Sequence, residues 1–508
     1  MNIASVLSDR AREASERTAL YFEDGRSWSW GTLDRITVTV ARLLESKGIT
    51  CGDRVAVAAP NRPEVVALLY GAWRMGAVPV TISSLYNREE LTKTLEETRP
   101  RLVVVTPQTP PVSGWETLCL APETMKEWES AQLEEPLADP VETKDTDEAV
   151  VLFTGGTTGL PKPVVTTHGG TMGAVRKLAA VSKGRPGPYK LAHPDVPPNL
   201  LALPLFHSGG QQTLLFAFYV GRPLLLMKKF NAAGVVELVG RYRIDNLFLM
   251  PTMVYDLVGL KEPVNLETVR AVLVAGQALD DQLRQRFEKR FGIPIATNYG
   301  STETGHVAGW TRADLVAGRW KPGSAGRVYD GVSLEIRDED GGVLTLGEVG
   351  EICVQSDLAK GYLGEREDSG KLVRDGWVHS GDMGYLDDDG VLFLVGRKRD
   401  MIKTGGFQVW PAELEEALRS HPAVADVAVI GVADERLGEV PKAFVVASGT
   451  VSDGVAAELM EFVRERLAHF KAVRRVEFVS ALPRTETAKI NRAVLENQFW
   501  GGSPDEKE

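Results

Sequence analysis

The segment Val150 to His168 (VVLFTGGTTGLPKPVVTTH) carries the residue types best suited to holding an anion. An apolar run enters Thr-Gly-Gly-Thr-Thr-Gly, and Lys162 follows. Glycines let successive backbone N–H groups turn toward a phosphate, and threonine hydroxyls add donors. A lysine just beyond reaches a terminal phosphate. The spacing is neither G-x-x-x-x-G-K-[ST] nor G-x-G-x-x-G, so the loop is not one of those nucleotide cradles. From these residues alone it is either a phosphate loop or a flexible Thr/Gly hairpin. A second segment, Asn298-Tyr299-Gly300-Ser301-Thr302-Glu303, ends in a carboxylate. Such an oxygen suits a hard cation that keeps substrate phosphates in its shell, and equally a solvated loop. Lys489 by itself reads as a surface lysine.

Taken together and in order, these segments resemble the adenylate-forming superfamily, which holds acyl-CoA synthetases, luciferases and peptide-synthetase adenylation domains. The family's phosphate loop, Tyr/Phe-Thr-Ser-Gly-Thr-Thr-Gly-x-Pro-Lys-Gly, stands here as Phe153-Thr154-Gly155-Gly156-Thr157-Thr158-Gly159-Leu160-Pro161-Lys162-Pro163. Gly155 replaces a serine, and Pro163 replaces a glycine and fixes φ at the loop exit. Tyr299 to Glu303 resembles Tyr-Gly-x-Thr-Glu. The resemblance implies adenine stacking by Tyr299, an α-phosphate contact by Thr302 and a Mg²⁺ ligand in Glu303. Gly276, Gln277 and Ala278 sit where the family lines adenine, with Gln277 and Ala278 departing from its commoner residues. Ser380-Gly381-Asp382 resembles Thr-Gly-Asp, which implies a ribose contact by Asp382. Gly396-Arg397-Lys398-Arg399-Asp400 resembles the family's linker, with Arg397 also reaching ribose and Arg399 at the hinge position. Leu482 to Ile490 resembles Pro-x-Thr-x-x-Gly-Lys-Ile, which makes Lys489 the adenylation lysine. Ala488 replaces the glycine there and is tolerated only at negative φ.

The resemblance covers about residues 19–495 and implies a two-step reaction. A carboxylate and the α-phosphate of ATP repel each other, so catalysis rests on neutralising charge and on positioning. Lys162 and Mg²⁺ would screen the phosphates, and Lys489 would bridge carboxylate and nucleotide. CoA thiol would then attack the acyl-adenylate after the C-terminal domain rotates, bringing Lys403, Gly405 and Gly406 to the site. The implied acyl pocket comprises His207, Ser208, Gly209, Gly210, Met253, Thr304, Gly305, His306 and Val307. His207 is also a candidate contact for the substrate carboxylate. No Lys, Arg or Asp stands among these, so an apolar acid, fatty or aromatic, is expected, with room left by the three glycines. The rival reading passes the adenylate to a carrier protein in trans, an amine or another nucleophile. A third is a degenerate nucleotide binder, suggested by Gly155, Pro163 and Ala488.

These residues need a scaffold, and the hydrophobic pattern outlines one. Helical periodicity covers Thr32 to Lys47, Pro63 to Met75 and Arg88 to Thr98. Apolar strands are expected over Arg54 to Ala59, Val78 to Ile82 and Leu102 to Thr106. The alternation resumes with a helix over Asn231 to Tyr242, strands over Asn246 to Met250 and Val269 to Val274, and a helix over Asp280 to Phe291. It predicts parallel sheet covered by helices. Two stretches, Gly184 to Pro198 and Ala121 to Asp147, read as surface loops. From Ala325 to Gly361 the period is two, a β-rich subdomain with turns at Asp340-Gly341 and Asp389-Gly390. The last hundred residues form an α+β unit. It has a helix over Pro411 to Arg419, strands over Val424 to Val432 and Lys442 to Ala447, and a helix over Val455 to His469. The fold class is therefore α/β: a large N-terminal body (residues 1–396) of parallel α/β subdomains plus a β-rich subdomain, and a small α+β C-terminal domain (401–508); the resemblance implies a hinge at 397–400 and a mobile C-terminal domain.

Composition is consistent with this. The 508 residues are 43% hydrophobic and 25% charged, the balance of a globular chain. A net charge of −11 gives no general reason to bind nucleic acid or an anionic membrane. Cys51, Cys119 and Cys353 show no metal or disulfide spacing and read as buried or inert thiols. No apolar run approaches a membrane span and the N-terminus has no signal-peptide core, so a cytoplasmic location is expected. The sequence leaves the oligomeric state open, a homodimer included.

Overall fold

A computed structural model describes all residues except 132–137, 155–161, 262, 365–371, 452, 486–488 and 501–508, with the side chains of 497–500 also left out. The chain packs as two compact units. The first comprises Met1–Thr154, Lys162–Leu334 and Val354–His379; the second comprises Glu335–Cys353 and the chain from Ser380 onward.

In the first unit, seven strands among the described residues form one sheet. Its order is Ala359–Tyr362, Lys162–Thr167, Glu148–Thr154, Val78–Ile82, Arg54–Ala58, Leu102–Val105, Glu116–Cys119. The five from Glu148–Thr154 onward run parallel, as strand–helix alternation demands. Val78–Ile82 is buried at every position, the signature of a strand covered on both faces. The Pro63–Arg74 and Arg88–Thr98 helices connect these strands. Asn87 starts the latter with a reciprocal capping box, and Arg99 ends it in the left-handed region. A second sheet runs Asn246–Leu249, Ala271–Ala275 and Ile295–Ser301 in parallel, then turns back through Gly305–Gly309. A third joins Thr18–Phe22 with Ser27–Ser29, Leu224–Leu226 and Asn199–Leu201. The main core lies among these layers around Trp28, Trp30, Trp73, Phe218 and Phe287.

The second unit carries Gly438–Ala447 against Val424–Asp434, with Arg475–Phe478 parallel on the other edge and Ile402–Thr404 and Phe407–Val409 extending the sheet. The Pro411–Arg419 helix packs on it through Leu414 and Leu418.

Several expectations change. The Ala121 to Asp147 stretch is not all loop: Thr124–Ser130 is a helix, with Met125 and Trp128 buried on one side, and Glu116–Cys119 adds an edge strand before it. The Val455 helix stops at Arg466, and a separate short turn follows at His469–Lys471. The strand expected at Val269 begins at Ala271, and that expected at Lys442 begins earlier, at Gly438. A β-rich region is present, but the strands of that stretch do not all pair with one another. Ser324–Val328 pairs with Gly305–Gly309, while Ala359–Tyr362 pairs with Lys162–Thr167. Ser333–Arg337 and Gly350–Gln355 instead lie beside Trp377–Leu386 and Val391–Arg397. Of the cysteines, Cys51 and Cys119 are exposed and only Cys353 is buried, where burial pushes its thiol up to about 12. No helix among the described residues is long and apolar enough to cross a membrane.

Candidate functional site

The anion-binding candidate is a hairpin. Glu148–Thr154 and Lys162–Thr167 are antiparallel, with Thr154 opposite Lys162 and Phe153 opposite Pro163. Gly155, Gly156, Thr157 and Thr158 lie outside the described residues. Pro163 is tolerated because it stands at the start of its strand, where one missing donor costs little; its carbonyl accepts from Leu363 N–H at 2.8 Å. Lys162 Nζ sits 5.1 Å from the centroid of the Tyr362 ring.

Tyr362 also reaches the second motif, since its hydroxyl donates to Glu303 Oε1 at 3.4 Å. Thr302 and Glu303 form the tip between Ile295–Ser301 and Gly305–Gly309, tied by side-chain bonds. The Ser301 and Thr304 hydroxyls lie 3.1 Å apart, and Glu303 and Thr304 N–H both donate to Ser301 Oγ. Thr302 Oγ1 donates to Ser208 Oγ at 3.3 Å. Ser208 opens the Ser208–Tyr219 helix, whose cap is His207, its Nδ1 accepting from Gly209 N–H at 3.1 Å. The first unit thus brings together Lys162, Glu303, Thr302, Ser208 and His207. Asn298 pairs with Ala275 across parallel strands, which sets the turn at Gly276 (φ +90°), Gln277 and Ala278 beside Tyr299. Asn298 accepts from Tyr329 at 3.0 Å.

The acyl-pocket candidates are mostly buried. Met253, Thr304, His306 and Val307 are all less than one tenth exposed. The three glycines do not leave open room. A Cβ on Gly210 would meet Pro204 O at 2.0 Å, one on Gly209 would meet Leu203 at 3.2 Å, and one on Gly305 would meet Leu358 at 3.2 Å. They permit close packing rather than a wide pocket. Burial pushes His306 down to about 4, so it is neutral. Neither ring nitrogen finds a partner among the described residues.

In the second unit, Asp382 and Arg397 are cross-strand partners, with Arg397 Nε 3.0 Å from Asp382 Oδ1. Gly381 (φ +70°) donates to Glu351, whose other oxygen pairs with Lys398 at 3.2 Å. Arg399 lies 3.4 Å from Asp400, and its guanidinium pKa is lowered by burial. Lys489 is held by its backbone. Its carbonyl accepts from Thr485 N–H at 2.7 Å and its N–H donates to Thr485 Oγ1 at 3.2 Å. Ala488 lies outside the described residues. Lys403 donates from its backbone to Glu439 at 2.9 Å. Gly405 (φ +56°) and Gly406 (φ +86°) form a tight turn that side chains would strain. Tyr362 had no sequence signal, because its partners lie 200 and 59 residues away and meet only through strand pairing.

A family model described as AMP-binding enzyme matches residues 7–363. A second, AMP-binding enzyme C-terminal domain, matches residues 413–489. The chain belongs to the AMP-binding enzyme family. This AMP-binding enzyme is 32% identical to a 4-coumarate–CoA ligase of Pinus taeda, covering 97% of this chain and 94% of that one. It is also 32% identical to a fatty acid–[acyl-carrier-protein] ligase, ScoC, of Streptomyces coeruleorubidus, covering 94% and 93%. Among solved structures, an ATP-bound RpMatB-BxBclM chimera superposes with a TM-score of 0.89 at 26% identity, covering 98% of this chain and 99% of that one. The AMP-binding enzyme is accordingly a ligase of the AMP-forming, acid–thiol type.

Proposed function

We propose that this ligase activates an apolar carboxylic acid, fatty or aromatic, as its acyl-adenylate and then passes the acyl group to the thiol of CoA. The reading rests chiefly on one arrangement: the Lys162 ammonium and the Glu303 carboxylate are both held by Tyr362 beside the mouth of the Thr/Gly hairpin. A cation and a lone carboxylate at one place suit a phosphate chain carrying its own hard cation. The donor set fits Mg²⁺ in that form. Among the described residues no three His, Cys, Asp or Glu side chains converge as a metal cage, so phosphate oxygens would complete the shell. Mg²⁺, when bound with ATP, supplies charge neutralisation at the phosphates.

The chain's own residues do the rest. Tyr299 packs adenine with Gly276, Gln277 and Ala278 beside it, Asp382 and Arg397 hold ribose, and Thr302 donates to the α-phosphate. Lys489 bridges the attacking carboxylate and the nucleotide, and a 397–400 hinge lets the C-terminal domain bring Lys403, Gly405 and Gly406 to the thiol. The acid is apolar because Met253 and Val307 are buried without a charge and His306 is neutral. The named activities of the Pinus and Streptomyces relatives bracket this range, aromatic and fatty.

The second reading, transfer to a carrier-protein thiol, draws on the Streptomyces relative. Pyrophosphate release across a panel of aryl and alkyl acids, with CoA, with a phosphopantetheinylated carrier and with neither, separates the two. CoA-stimulated release with thioester product supports the first. Stimulation by the carrier alone moves the assignment to the second, and no release with any acid removes both.

A further inference from the structure

We propose that Tyr362 is a positioning residue for the phosphate end of the nucleotide, setting the Glu303 carboxylate and the Lys162 ammonium at one spacing. The inference rests on the reading of those two residues given above. Its basis is strand register. Tyr362 closes the Ala359–Tyr362 strand and stands directly opposite Val164 on the antiparallel Lys162–Thr167 strand. Lys162 is two residues from Val164, on the same face, and so is the diagonal neighbour of Tyr362, a separation that aromatic and long side chains span. The Leu363 N–H to Pro163 carbonyl bond at 2.8 Å pins the strands at that point.

One neutral side chain then meets two opposite charges through two different parts. The electron-rich ring face takes the ammonium at 5.1 Å, and the hydroxyl takes the carboxylate at 3.4 Å. Being uncharged, the phenol orients both groups without neutralising either. The tip carrying Glu303 has its own Ser301–Thr304 bonds. Tyr362 adds the link from that tip to the hairpin strand, so the Mg²⁺-facing and phosphate-facing groups share one support.

Ring and hydroxyl are separable, which gives the test. Tyr362→Phe keeps the ring under Lys162 and removes the donor to Glu303; Tyr362→Leu removes both. Binding of a non-hydrolysable ATP analogue to the full chain is followed by calorimetry across a Mg²⁺ series and in EDTA. Tyr362→Phe is expected to raise the Mg²⁺ concentration for half-maximal binding about 3- to 10-fold, the worth of one hydrogen bond, with affinity in EDTA unchanged. Tyr362→Leu is expected to weaken EDTA affinity as well, by a few-fold. A wild-type Mg²⁺ dependence in Tyr362→Phe overturns the proposal, as does an equal loss in EDTA for both variants. Glu303→Gln and Lys162→Ala are run beside them. If these two change nothing, the reading of Glu303 and Lys162 falls; if they weaken binding while both Tyr362 variants match the wild type, only the inference about Tyr362 falls.

Discussion

His168 and His306 are both buried and both held neutral, but for different local reasons. His168 Nδ1 accepts from Ile3 N–H at 3.2 Å, so a proton on that nitrogen would face a donor. His306 lies inside the strand that follows Glu303, with no partner for either nitrogen among the described residues. Burial pushes each down to about 4 from an ordinary value of 6.5. Between those values the unfolded chain binds protons that the folded chain refuses. Stability from both histidines is therefore fully present above about pH 6.5 and lost as pH falls toward about 4. Denaturant unfolding at pH 7 and pH 5 should show a loss on the order of 1–2 kcal/mol per histidine. His168→Gln should reduce the pH slope by about one proton, and an unchanged slope would contradict the assignment.

At the scale of elements, one carboxylate holds the second unit together. Glu415, on the Pro411–Arg419 helix, is 4% exposed. It accepts from Val429 N–H at 2.9 Å, pairs with Arg419 at 3.3 Å and pairs with Arg492 at the start of the final helix. Helix, strand and the segment just beyond Lys489 thus share one anion. Glu415→Ala would leave the half-buried Arg492 guanidinium with Asp400, 3.9 Å away, in place of its main partner, so a loss of about 3 kcal/mol is expected in denaturant melts. On the proposed role of Lys489, adenylation should fall with it, because Asn491 N–H donates to Pro483 O at 2.8 Å and Arg492 bonds Glu415, fixing the chain just beyond Lys489. A melt within 1 kcal/mol of wild type would show that the pair is dispensable. The same scale decides what sequence made legible. Arg88–Thr98 and Pro411–Arg419 were readable to the residue, because Asn87 caps one and Pro411 opens the other. Thr124–Ser130 was not, since seven residues with two apolar anchors make no periodicity. The pairing of Ala359–Tyr362 with Lys162–Thr167 was equally hidden, because alternation reports a strand and never its partner. The motif residues stand out in the sequence because their pattern is local. Tyr362 could not, and the filled space around Gly209, Gly210 and Gly305 needed the packing to be seen.

For the whole molecule, the decisive feature is that the groups proposed for the two half-reactions lie on the same unit. Lys489 is proposed for adenylation, while Lys403, Gly405 and Gly406 are proposed for thiol attack, and all four lie in the second unit. On the proposed hinge, rotation of the segment beyond residue 400 would present one set and withdraw the other, with a few residues around Arg399 absorbing the backbone change. Single substitutions should then split the reaction. Lys489→Ala should lower acid-dependent ATP–pyrophosphate exchange by about 10²- to 10³-fold, the scale of losing one electrostatic contact in a transition state. It should leave thioester formation from supplied acyl-adenylate within a few-fold of wild type. Gly406→Leu should do the reverse. Among the described residues no atom beyond its chain neighbours lies within 4 Å of a Cβ at Gly406, so there is space for the side chain, but φ +86° disfavours it and the leucine would stand on the proposed pantetheine path. Pre-steady-state assay of the two halves, together with a melt of each variant, checks this. Opposite patterns at near-wild-type stability support alternation. Equal loss of both halves in both variants would mean that one fixed arrangement serves the whole reaction, and would overturn the proposed hinge at 397–400.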